Sequence, residues 1–124
     1  MYQQEWVRKL NNHGNSIGTS KFLIEIDPQK MIKIATEITG LNDFGDDKWQ
    51  HHYQGYIKKL NELDQLHTLG RIRIKTALLI ALKNRLLITE KLKQEPMILA
   101  EPINHPFFII GLPRTGTTLL YNLL

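Results

Sequence analysis

The stretch from His67 to Pro96 constrains the fold more than any other part of the sequence. Ile74, Leu78, Leu79, Leu82, Leu86 and Leu92 recur along it at helical spacing. Thr68 is the expected N-cap, and the helix should run to about Gln94 before Pro96 breaks it. So broad an apolar face predicts one long buried helix. Arg71, Arg73, Lys75, Lys83, Arg85, Lys91 and Lys93 face a single acid there, Glu90, so the chain's net charge of +4 sits largely on this helix. No aromatic residues interleave with these cations for base stacking, which argues for a solvated helix face and against a nucleic-acid surface.

Two shorter helices are expected before it. Asp27-Pro28 is a start signal, a side-chain acceptor followed by proline at the first helical position. Met31, Ile32, Ile34, Ala35 and Ile38 follow, and Gly40 ends the helix. Asn42-Asp43-Phe44-Gly45 reads as a turn, after which Asp46 or Asp47 caps a helix running to about Leu63 with Trp49, Tyr53, Tyr56, Ile57, Leu60 and Leu63 on its apolar side. At the N-terminus, Gln3 to Leu10 reads as a short helix and Asn11 to Ser20 as loop. Phe22 to Ile26 fits either an extended segment or an irregular lead-in.

Composition narrows the class. At 124 residues, with 42% hydrophobic and 23% charged side chains, the chain is one domain's worth of ordinary globular sequence, too apolar for disorder. Zero cysteines exclude a disulfide framework, a thiolate metal site and a cysteine nucleophile. No run approaches the length of a membrane span, and Met1 to Trp6 lacks the features of a signal peptide, so a cytoplasmic location is expected.

The character changes after Pro96. Glu95 to Pro102 allows a short helical turn at most. Phe107-Phe108-Ile109-Ile110, bounded by Pro106 and Gly111, reads as a buried strand of the parallel-sheet kind. Gly111-Leu112-Pro113-Arg114-Thr115-Gly116-Thr117-Thr118 comes next, and Leu119 to Leu124 continues at helical periodicity. Strand, glycine-containing loop and helix start make a phosphate cradle, with backbone N–H groups converging on an anion. The spacing matches a GxxxxGK[ST] loop, but Thr117 stands where the lysine belongs. That departure counts against an ordinary ATPase, GTPase or kinase. Arg114 is the loop's one cation.

Pro113-Arg114-Thr115-Gly116-Thr117-Thr118 resembles the 5′-phosphosulfate loop of the sulfotransferases, PKSGTT in the cytosolic enzymes and PRSGTT in many bacterial ones. The wider run Phe107 to Leu124, and more loosely Thr39 to Asp47, resembles the bacterial sulfotransferase-family domain. The resemblance implies a P-loop-like α/β fold, with 3′-phosphoadenosine 5′-phosphosulfate as donor and a hydroxyl or amine of a small-molecule or protein acceptor as target. It implies that Pro113, Arg114, Thr115, Gly116, Thr117 and Thr118 bind the donor and that Arg114 is the catalytic cation, with no metal. The expected organisation is therefore a mainly α chain, a helical region over 1–105 followed over 106–124 by the first strand, loop and helix of a sulfotransferase domain. The family's 3′-phosphate site and acceptor base are not among the matched residues, so an incomplete and inactive piece is expected, with Phe107 to Ile110 poorly paired. The alternative is a non-catalytic helical module whose basic third helix binds a partner.

Other clusters have plainer explanations. His51 and His52 are adjacent, so on a helix they diverge by about 100° and do not share an ion. Asp43, Asp46 and Asp47 miss the EF-hand pattern and suit turn and cap positions. Trp49, Tyr53 and Tyr56 suit helix packing better than a ligand cage.

Overall fold

The computed structural model describes residues 4–16, 23–63, 66–112 and 114–124. Its helices are α1 (Glu5–Ser16), α2 (Pro28–Thr39), α3 (Lys48–Glu62), α4 (Thr68–Gln94) and α5 (Thr117–Leu123), with a 3-10 turn over Pro96–Ala100. Among the described residues there is no strand. The mainly α expectation holds.

Helix α4 is the spine. It packs most extensively on α2, also on α1, and meets the 3-10 turn that follows it. Ile26, Met31, Ala35, Ile57, Leu82 and Leu86 form the buried core, ringed by Leu41, Phe44, Trp49, Tyr53, Ile74 and Leu78 among others. Phe44, Trp49 and Tyr53 form a ladder of tilted rings with centroids 5.2 and 5.4 Å apart, which seats α3 on this core.

Local signals place α2. Asp27 Oδ1 accepts from the Lys30 amide at 2.7 Å, and Gly40 takes φ 69°, the left-handed conformation that lets its N–H reach the Thr36 carbonyl at 2.8 Å. Helix α3 starts after Asp47, while Asp46 Oδ1 accepts from the Lys48 amide at 3.2 Å. Asp43 closes its turn through the Gly45 amide at 2.7 Å.

Tertiary contacts correct three expectations. Asn11 to Ser16 is helix and not loop, because α1 continues to dock on α4. Its Asn11 Oδ1 accepts from the Leu69 amide at 3.3 Å and so serves as a cap for α4 from 58 residues away. Thr68 accordingly lies inside α4, with His67 at the N-cap position, and is buried where a Cβ on Gly14 would collide with its hydroxyl. Phe22 lies outside the described residues, but the run after it is irregular and buries Ile26.

The third correction concerns the basic residues of α4, which are not simply a solvated face. Arg71 Nη1 donates to the Ile24 carbonyl at 3.3 Å, and Lys75 Nζ to the Glu25 carbonyl at 2.9 Å. Arg85 Nε donates to the Phe44 carbonyl at 2.6 Å and its Nη2 to the Asp46 carbonyl at 3.2 Å, with the guanidinium 5.3 Å over the Trp49 ring. Lys93 pairs with Asp43 at 2.6 Å. These four cations pin the two connecting segments, 24–26 and 43–46, to the spine.

Candidate functional site

The candidate phosphate loop is built by its own backbone. The Leu112 carbonyl accepts both the Thr115 amide at 3.3 Å and the Thr115 hydroxyl at 2.7 Å. Arg114 takes φ 66° and Gly116 φ 88°, with Thr115 between them outside that region. The Thr115 amide is spent inside the turn, so the N–H groups left for an anion are those of the residues that follow it into α5. Gly116 leads into α5, its carbonyl accepting from the Leu120 amide at 3.0 Å. A Cβ on Gly111 would lie 2.7 Å from both Thr115 Oγ1 and Thr117 Cγ2, so the turn closes only on glycine.

The resemblance named Pro113, Arg114, Thr115, Gly116, Thr117 and Thr118. Pro113 lies outside the described residues. Thr115 and Thr117 are drawn together over Gly111, which leaves the Thr115 hydroxyl committed to Leu112. Arg114 and Thr118 are exposed, and among the described residues neither has a side-chain hydrogen bond or ion pair. Arg114 has therefore kept its full hydrogen-bonding capacity for a phosphate oxygen.

Phe107 to Ile110 does not form the expected strand. Phe107 is 82% exposed and Ile110 92%. A strand exists only through hydrogen bonds to a neighbour, and among the described residues no segment lies alongside to supply them. Leu119, Leu120, Tyr121 and Leu123 of α5 are exposed as well. The whole chain exposes 10275 Å², against about 6,800 Å² for a compact monomer of this mass.

Elsewhere, the His51 and His52 rings sit edge to face, 5.7 Å apart. Among the described residues no three His, Cys, Asp or Glu side chains gather as a metal-ligand set, and no described helix is long and apolar enough to cross a membrane. Two adjoining grooves share Ala81 and Arg85. One, of about 670 Å³, runs between the 43–46 turn and α4, and the other, of about 250 Å³, lies beside Trp49 and Tyr53. Burial, with a smaller effect from the Asp27 charge, pushes the Tyr53 phenol up to about 12.

Residues missed from the sequence are those whose partners are distant. Asn11 caps α4, and Asn61 and Arg71 form a polar seam: Asn61 Nδ2 donates to the Ile26 carbonyl at 3.0 Å, and its Oδ1 accepts from Arg71 Nη1 at 3.2 Å. An arginine at a position facing the apolar side of α4, one turn before Ile74 and two before Leu78, was the available signal. No family model matches the chain, and comparison with curated proteins and with solved structures likewise found no match.

Proposed function

We propose that residues 113–118 bind the 5′-phosphate of a phosphosulfate nucleotide, 3′-phosphoadenosine 5′-phosphosulfate by the resemblance, and that the chain belongs to a sulfuryl-transfer activity. In that reaction an acceptor hydroxyl or amine attacks sulfur, the bridging S–O bond to the 5′-phosphate breaks, and the acceptor proton leaves to a base. Arg114 stabilises the charge gathering on the departing phosphate. Its role is electrostatic, since a guanidinium does not give up a proton near neutral pH.

The observation that supports this reading is the left-handed backbone at Arg114 and Gly116, which turns the chain into α5 while the Arg114 side chain stays exposed and uncommitted. Calorimetry with 3′-phosphoadenosine 5′-phosphate tests it. Weak binding is expected, reduced at least tenfold by Arg114→Ala and by Thr118→Val. Binding unchanged by both variants overturns the assignment.

One observation favours a second reading, a helical interaction module. Ile80, Leu87 and Ile88 lie exposed on the side of α4 away from the core. Arg71, Lys75, Arg85 and Lys93 are already engaged with the chain's own loops, so these apolar residues would carry much of such a contact. Partner binding that survives deletion of 107–124 and is lost in Ile80→Asp supports that reading.

A further inference from the structure

Arg71 is fully buried, at 0% exposure, yet no carboxylate among the described residues pairs with it. Its two bonds, to the Ile24 carbonyl and Asn61 Oδ1, are both to neutral acceptors and both come from Nη1. Nε and Nη2 have no hydrogen-bond partner. Those two nitrogens form one edge of the planar guanidinium, the fork that takes two oxygens of a carboxylate or phosphate side by side.

The surroundings add to the positive field. Arg71 stands in the first turns of a 27-residue helix, and helical side chains lean toward the N-terminus, which brings the guanidinium back over the turn that begins at Thr68. Thr68, three residues earlier on the same face, is buried, and its hydroxyl also has no partner. Lys75, one turn later, brings a second cation to the same 24–26 segment. Burial depresses the Arg71 pKa, but a guanidinium keeps its charge at neutral pH all the same. A water at the bare donors would satisfy their hydrogen bonds and leave the buried charge uncompensated.

We propose that the unpaired edge of Arg71 and the N-terminal turn of α4 form an internal site for a small oxyanion, a phosphate, sulfate or carboxylate group that presents two oxygens to the Nε–Nη2 fork. The ligand neutralises the buried charge and fastens the 24–26 segment to the spine. This site is independent of the loop at 113–118 and stands whether or not that loop binds nucleotide.

The test titrates phosphate, sulfate and acetate separately into the full chain at constant ionic strength. It follows the Arg71 Nε–H resonance, assigned by its loss in Arg71→Lys, together with the melting temperature. A saturable shift is expected, with melting raised by roughly 5 °C when the anion stands tenfold above its Kd. Arg114→Ala should respond as the wild type does, Arg71→Lys should lose the response, and Thr68→Val should weaken it several-fold. Response to phosphate and sulfate identifies a tetrahedral anion, and response to acetate a carboxylate, both within the proposal. It is overturned by a folded wild type whose Arg71 resonance moves with none of the three, or by a response that disappears in Arg114→Ala. Should Arg71→Lys fail to fold, the wild-type resonance and Thr68→Val decide the matter.

Discussion

The segments joining α1, α2 and α3 and the segment leading into α5 each meet a basic side chain, but they are held in opposite ways. In the first, Arg71, Lys75 and Arg85 reach across 39 to 50 residues of sequence to backbone carbonyls. In the second, every hydrogen bond described between 101 and 124 spans three or four residues. A cation can thus spend its donors on its own chain, as Arg85 does, or keep them, as Arg114 does. Rigidity in the helical region and availability in the candidate phosphate loop are two uses of the same chemistry.

The sharpest way to break that contrast is to delete apolar mass from each side. Leu86→Ala, in the core, should cost about 2–5 kcal/mol, while Phe108→Ala should change stability by less than about 0.5 kcal/mol. Urea unfolding measures both, and a comparable loss at Phe108 would show the C-terminal run to be packed. Arg85→Met comes next. Loss of its bonds to Phe44 and Asp46 should cost about 1–3 kcal/mol and speed amide exchange over 43–46 more than within α2. Asp27→Ala, which removes a purely local cap, should cost about 1 kcal/mol.

The smallest expected effect depends on pH. Tyr53 titrates near 10.0 when unfolded and about 12 when folded, so it contributes stability below pH 10 that is lost as pH rises from 10 toward 12. Tyr53→Phe should flatten the fall in melting temperature across that window relative to wild type. An identical slope in both proteins would show the phenol to be as solvated as a free tyrosine.

Sequence was most readable where cause and effect lie within a turn of each other. Asp27, Pro28 and Gly40 bound α2 through neighbours three or four residues away, and those bounds could be read directly. Asn11 and Gly14 look like loop residues because their tasks, capping α4 and admitting Thr68, are set by a helix that begins more than fifty residues later. The cations of α4 carry the same periodicity whether they face water or a carbonyl, so their roles as staples were hidden. Phe107 to Ile110 shows the converse limit. Side-chain preference makes a strand possible, and only a neighbouring backbone makes one. At the candidate phosphate loop, the motif named the residues, and the left-handed φ angles of Arg114 and Gly116 and the tight packing over Gly111 became visible only in three dimensions.

The position of the spine helix last among the packed helices has a consequence for synthesis. Ile26, Met31, Ala35 and Ile57 leave the ribosome before Leu82 and Leu86, the residues they close upon. At roughly 5–20 residues per second, the early helices wait several seconds with their apolar faces bare. The nascent chain is therefore exposed to chaperone capture until α4 has emerged from the exit tunnel, and a pause in translation before that emergence should lengthen the exposure, whereas one after it should not.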